Sequence, residues 1–332
     1  MVERGTRMGV TETGTGPLFQ EPDADGLRAY FAAKNRSMVD KCMNAAEAVT
    51  RFIPDSCFLA AGGFGTNRIP TEILHEVVRQ RRRNLTFLGH TSTHDFEILC
   101  AGNCLSRVDA AYIVGLEARG LSPVARRVMQ SGEVEVCEWT NYALSVRLRA
   151  AADGLPFGVL RSMLGTDTFV RSAAKVIECP YTGQKLTAVP ACSPDVAVVH
   201  VHEADAFGNA RIHGISVADM ELVRAAKRVV VTTERLIDTD EIRRYPEATM
   251  IPFYLVDAVV HSPYGSYPGN MPYEYFSDED HLAEWLAAER DPEVFAAFLE
   301  KHIYGVAEFQ GYLEICGGEA RLAALKAEER LE

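Results

Sequence analysis

The stretch Asp55-Ser-Cys-Phe-Leu-Ala-Ala-Gly-Gly-Phe-Gly-Thr-Asn-Arg-Ile-Pro70 constrains the fold more than any other part of the chain. Phe58 to Ala61 is a short apolar run of the kind that makes a strand buried on both faces. Gly62 and Gly63 then permit a sharp turn and a close approach of bare backbone. Pro70 suits the first turn of a helix, and Ile73, Leu74, Val77 and Val78 repeat behind it at helical spacing. Strand, glycine turn and helix are how open α/β sheets present backbone N–H groups to an anion or to developing negative charge. The spacing of Gly62, Gly63 and Gly65 is not that of a dinucleotide fingerprint, and no Gly-Lys-Ser/Thr follows to make a P-loop. On its own the turn can be no more than the end of a strand.

The same alternation continues downstream. Leu85–Leu88, Asp109–Val114, Val134–Cys137, Leu155–Leu160, Asp195–Val201, Val229–Thr232 and Leu255–Val260 read as strands. Helices are expected between them. One starts near Ser37, which stands as its N-cap before Met38, Cys42, Ala45, Val49 and Phe52. Ser122-Pro123 opens another that Gly132 closes, Thr140 caps one running to about Gly154, and Ser216 caps one ending at Lys227 and Arg228. Valine-rich strands alternating with helices predict an α/β fold: an open, mostly parallel sheet with helices on both faces. Ligands bind beyond the carboxyl ends of such strands, where the Gly62 turn, the His90 loop, the Gly115 loop and the Thr140 helix start would meet. Residues 1–36 read as a partly disordered tail, with Met8 an alternative start; 37–265 form the α/β domain; 266–332 form a helical C-terminal extension on the same domain.

Composition removes several function classes. The 332 residues and 47% hydrophobic content are ample for a large core. A formal net charge of −12 argues against nucleic acid or an anionic membrane as partner. No apolar run reaches transmembrane length and Met1–Arg7 lacks a signal-peptide core, so a cytoplasmic location is expected. The eight cysteines are scattered, and Cys100 and Cys104 have no second pair to complete a zinc site; reduced, buried thiols are expected. His90 and His94 stand four apart in a Gly/Thr/Ser loop, where loop hydrogen bonding or pocket lining explains them and no metal site is expected. Arg79 and Arg81 to Arg83 fall at a helix end, where cations favour the dipole.

Taken together these segments resemble the A-type (alpha) subunit of class I coenzyme A-transferases, in particular the A-type chains of the glutaconate CoA-transferase group. Asp55, Leu59-Ala60-Ala61, Gly62-Gly63-Phe64 and Pro70 fit the family signature, while Ser56 and Arg68 stand where the broad pattern has glycine. Ser131–Val136, Gly154-Leu-Pro156, Asp195–His200, Phe207-Gly-Asn209 and Val256–Gly265 follow as landmarks in the right order, so that the resemblance runs from about residue 37 to 320. It implies a CoA-transferase-like fold, no cofactor beyond coenzyme A as a substrate, and transfer of CoA between carboxylic acids. A carboxylate would attack the acyl-CoA while preorganised donors hold the oxyanion. It also implies that the nucleophile is a glutamate of a B-type partner, in a heterotetramer or larger assembly, since this chain has no Glu-Asn-Gly. Glu117, in Gly115–Gly120, is the nearest imitation.

By the resemblance, the A-side oxyanion donor falls on Asn141, whose alternative is to help Thr140 cap the helix. Related steroid ring-cleaving hydrolases carry a glutamate there; the amide favours a transferase, while Glu138 one turn earlier keeps the hydrolase open. Gly62, Gly63, Phe64 and Gly65 are expected against the thioester, with His90 lining the pocket. Arg68 would hold a substrate carboxylate or CoA phosphate, or else be a solvated arginine at a helix start. His200 and His202 are read as core or interface residues, and Arg147 and Arg149 as helix surface. The non-enzyme alternative is a ligand-binding protein on the same scaffold.

Overall fold

The computed structural model describes residues 9–113 and 119–329. The strands, in chain order, are β1 (Val10–Thr13), β2 (Phe58–Ala61), β3 (Leu85–Ser92), β4 (Leu105–Ile113), β5 (Glu135–Glu138), β6 (Phe157–Leu160), β7 (Lys175–Glu178), β8 (Lys185–Pro190), β9 (Val196–Ala204), β10 (Ala210–Arg211), β11 (Arg228–Leu236) and β12 (Ala258–His261). The main sheet runs β12-β11-β9-β2-β3-β4-β5, every neighbouring pair parallel, with β10 added antiparallel to β9. The chain enters this sheet at β2, moves outward to β5, and returns to β9 on the other side of β2. The topological switch point therefore lies between β2 and β9.

Strand periodicity divides the interior into two layers. Phe58, Ala60, Ala197, Val199 and Val231 face one core with the helices Asn141–Ala152 and Asp219–Ala225. Leu59, Ala61, Val196, Val198 and Val230 face the other, beneath the helices Ala45–Phe52, Thr71–Arg79 and His94–Ala101. Both faces are covered, which is why these strands read as continuous apolar runs. Each aliphatic side chain sealed there contributes about 1.5–3 kcal/mol.

Three expectations need correction. The tail over 1–36 is ordered where described: β1 pairs antiparallel with β7, and a helix spans Ala24–Ala33 with Leu27 buried in the first core. The first domain helix starts at Ala45 with Asn44 as its cap (Oδ1 accepts from Glu47 N at 2.8 Å), not at Ser37. Cys42 is instead held extended as a bridge beside Val259. Ser216 offers its carbonyl to Asp219 N at 2.9 Å and makes no side-chain cap.

The second sheet, β1-β7-β8-β6, is antiparallel and is not foreseen by the sequence pattern, which places β6 in the parallel sheet. Its signal is the Pro180–Gly183 turn between β7 and β8, with Gly183 at φ 70° and Gly183 N bonded to Cys179 O at 2.9 Å. After Tyr264 the chain forms a third cluster around Tyr267, Tyr275, Phe309, Tyr312 and Leu325, while Trp285 and Phe295 of the same extension join the second core. No helix among the described residues is long and apolar enough to cross a membrane.

Candidate functional site

The glycine turn leaves β2 at the switch point. Gly63 (φ 80°) and Gly65 (φ 58°) take left-handed backbone that disfavours side chains. A Cβ on Gly62 would lie 2.7 Å from Asp219 Oδ1. The backbone N–H groups of the turn, however, are spent within the protein. Gly62 N donates to Val198 O (2.8 Å), Gly63 N to Asp219 Oδ1 (2.8 Å), Phe64 N to Asn67 O (3.1 Å) and Gly65 N to Thr91 O (2.7 Å). The turn shapes the site instead of donating to it.

Arg68 explains why the crevice between β2 and β9 is closed. Its side chain and that of Asp219 are 0% and 1% exposed, with Nη2 and Oδ2 at 2.5 Å in a charge contact that is not an aligned hydrogen bond. Nη2 also donates to Ile215 O (2.9 Å) and Nη1 to His200 O (3.4 Å). Arg68 is thus neither a substrate clamp nor a solvated arginine. It is a buried cation whose partner also orders the Gly63 amide. Burying a guanidinium requires such a partner, because an unpaired buried charge costs several kcal/mol.

A cluster of half-buried polar side chains lies one strand over, where β3 ends against the start of the Asn141–Ala152 helix. Gly65 is stitched to this strand through Thr91 O and through Thr93 Oγ1, which donates to Gly65 O at 2.6 Å. Thr140 Oγ1 caps the helix by accepting from Ala143 N (3.1 Å), so Asn141 is free of capping. Its amide reaches β3 instead: Nδ2 donates to His90 O (2.9 Å) and Thr91 Oγ1 (2.5 Å). His90 continues the chain, with Nδ1 3.1 Å from Thr91 Oγ1 and Nε2 2.9 Å from Ser145 Oγ. Burial pushes the His90 imidazole below its usual range, which makes it neutral at pH 7. With the proton on Nδ1, Thr91 Oγ1 accepts from both His90 and Asn141 and its own O–H is left to donate outward. Thr91 is half-buried and so remains reachable.

The structure therefore brings together Gly65, His90 and Asn141 and adds Thr91 and Ser145, which the sequence does not single out. Ser145 stands one helical turn after Asn141, a spacing that places both on one face. Glu138, at the end of β5, accepts from Arg171 Nη1 at 2.9 Å. Glu117 and the Gly115 loop lie outside the described residues. His94 turns away from His90, bonded to Glu97 (3.0 Å) and edge-on to Trp285 at 4.7 Å, so the two histidines share no metal position. His200 and His202 are buried, on Thr232 and Glu234 (2.7 and 2.8 Å) and on Pro272 O (2.8 Å) respectively. Arg149 is exposed as expected, but Arg147 is not at the surface. It is 1% exposed, 3.0 Å from Asp109 and stacked 4.1 Å from the Trp139 ring. Exposed apolar side chains include Tyr142, next to Asn141 in sequence, Ile215, whose carbonyl accepts from Arg68, Val217, and Tyr273, which lies near Gly214.

The family model described as Coenzyme A transferase matches residues 42–262. The A-type subunit of the 3-oxoadipate CoA-transferase of Pseudomonas knackmussii is 33% identical over 270 residues, 80% of this chain and 94% of that protein. The crystal structure of glutaconate coenzyme A-transferase from Acidaminococcus fermentans superposes with a TM-score of 0.81 at 29% identity, over 86% of this chain and 95% of that one. A structure of the decarboxylase AibA/AibB superposes at 0.72 with 31% identity, over 79% of this chain and 98% of that one. With the family model matched over more than half of its length, the chain belongs to the coenzyme A transferase family.

Proposed function

We propose that this chain is the A-type half of a heteromeric acyl-CoA:carboxylate CoA-transferase, with coenzyme A as a substrate and no other cofactor. One observation carries the reading: the side chains that converge at the end of β3 are hydrogen-bond donors, and none of them is a carboxylate. Asn141, Thr91 and His90 converge at the end of β3, while Asp219 is sealed against Arg68 and Glu138 is held by Arg171. A partner's glutamate then supplies the attack on the thioester carbonyl, and this chain stabilises the resulting oxyanion.

The stabilisation has a definite geometry. Both Asn141 amide protons are committed to β3, so, with the His90 proton on Nδ1, the group left to donate to the oxyanion is the Thr91 hydroxyl, held by Asn141 and His90. Preorganised donors of this kind need no rearrangement as charge develops.

In the complex with a B-type partner, Asn141→Ala and Thr91→Val are each expected to lower kcat by about 100- to 1,000-fold, the usual effect of losing one oxyanion donor. Unchanged kcat in both would overturn the assignment. Products decide among reaction classes. CoA appearing on a second acid supports the transferase. Free CoA with free acid identifies a hydrolase, and loss of carbon dioxide from the acyl group a decarboxylase. A chain that binds a small ligand without turnover is a binding protein.

A further inference from the structure

A second cluster of reactive side chains lies in the C-terminal extension, apart from the proposed active site, where three of its elements fold together. One ring nitrogen each of His281 and His302, and Cys316 Sγ, lie within 4.8 Å of one another. His281 sits in the first turn of the helix Glu279–Ala288, His302 in the wide π-turn Glu300–Tyr304, and Cys316 at the end of the helix Phe309–Ile315. Three separate elements thus converge on one point. We infer that His281, His302 and Cys316, with Glu284 as the fourth ligand, form a binding site for a divalent transition-metal ion of the zinc type that clips the extension together.

The protonation pattern supports metal ligation. His302 Nδ1 is 2.9 Å from Phe298 O, and a carbonyl only accepts, so Nδ1 carries the proton and Nε2 keeps its lone pair. His281 Nε2 is 2.9 Å from the Tyr312 hydroxyl. With the Nε2 proton given to Tyr312, the Nδ1 lone pair is left free, and a Glu284 carboxylate oxygen lies 3.8 Å from it. Cys316 Sγ lies beside the ring, 3.8 Å from Nδ1 and 4.0 Å from Nε2, so that the Cys316 side chain has to turn toward the Nδ1 axis to share an ion with it. Tetrahedral zinc with Zn–N near 2.0 Å and Zn–S near 2.3 Å separates its ligands by about 3.3–3.7 Å, so both gaps are already close to coordination size. All three ligand atoms fall within 4.8 Å of one another, so side-chain adjustment closes the set. Glu284 is largely exposed, which gives an ion a route in from solvent. A π-turn is an uncommon backbone form that concentrates at functional sites, and here it carries His302. His302 has an outer carbonyl partner that fixes its tautomer, as metal-bound histidines do, and the Tyr312 hydroxyl can accept the Nε2 proton of His281. Cys316 binds as thiolate, its proton passing to solvent.

The full-length chain, stripped with chelator and dialysed, is titrated with Zn²⁺ alone and with Co²⁺ alone. Expected are one equivalent bound per chain, a rise in Tm on metal addition, and a thiolate-to-cobalt charge-transfer band with tetrahedral visible bands. Cys316→Ser should abolish the charge-transfer band and His302→Ala the tight equivalent, while Cys42→Ser leaves both intact. Tyr312→Phe, which removes the hydroxyl partner of His281, should retain one equivalent with about 10- to 100-fold lower affinity. No stoichiometric binding, or a cobalt band that survives Cys316→Ser, would overturn the proposal. None of these readouts depends on acyl-CoA turnover.

Discussion

Arg68 makes a prediction that separates a structural role from a catalytic one. Removing its charge leaves Asp219 buried and unpaired, so Arg68→Ala should lose about 3–5 kcal/mol of unfolding free energy in a denaturant titration. Replacing both residues by leucine-sized apolar groups should recover much of that loss; a single variant as stable as the parent would refute the pairing. Asp95 makes a pH prediction. Burial raises its carboxyl to about 6, while Ser92 Oγ and Thr93 N donate to it at 2.9 and 2.7 Å. A raised folded value means that the native state binds the proton more tightly. The stability contribution is therefore full below the unfolded value near 4 and is lost as pH rises through about 6. Asp95→Asn should remove that slope, changing the parent-minus-variant difference between pH 4 and 7 by on the order of 2 kcal/mol. Parallel stability profiles for the two proteins would contradict this. Asn141 is locatable from sequence landmarks, but the fate of its amide is not, because its acceptors His90 O and Thr91 Oγ1 come from a different strand. Arg68 and Arg147 are misread for the same reason. A lone arginine in sequence carries no sign of burial until its distant carboxylate, Asp219 or Asp109, is placed beside it.

At the scale of elements, periodicity carries the main sheet and fails for the small one. β2, β9 and β11 are doubly covered and announce themselves as apolar runs, valine-rich in β9 and β11, whereas β7 and β8 are short, half-exposed and mixed in composition. β1 is exposed along its whole length and has no apolar face to betray it; only pairing with β7 makes it a strand. Caps are legible where a hydroxyl precedes the helix directly. Ser122 Oγ accepts from Ala125 N at 3.0 Å and Gly132 ends that helix at φ 77°, as the Ser-Pro…Gly pattern foretells. The same hydroxyl donates to Glu289 Oε2 at 2.5 Å, joining this helix to the C-terminal extension. Ser122→Ala therefore removes a cap and a partner of a buried carboxylate. It should cost about 1–2 kcal/mol in thermal or chemical unfolding, with Ser122→Thr retaining most of it. A loss below a few tenths would mean the cap contributes nothing.

At the scale of the whole molecule, the switch point between β2 and β9 is the place where an open parallel sheet ordinarily receives its ligand. Here Arg68 and Asp219 fill it, and the donors stand at the neighbouring end of β3. The chain thereby offers a scaffolded set of donors, and the proposed function requires the nucleophile to arrive from a second chain. The most direct test is to incubate the purified chain with its B-type partner and an acyl-CoA, reduce the thioester intermediate with borohydride, and map the modified residue by mass spectrometry. The reduced side chain, an alcohol in place of the carboxylate with CoA released, is expected on a glutamate of the partner, with none on this chain and no turnover when this chain is incubated alone. A reduced side chain at Glu138 or Glu117, or CoA transfer by the isolated chain, would show that this protein carries its own nucleophile.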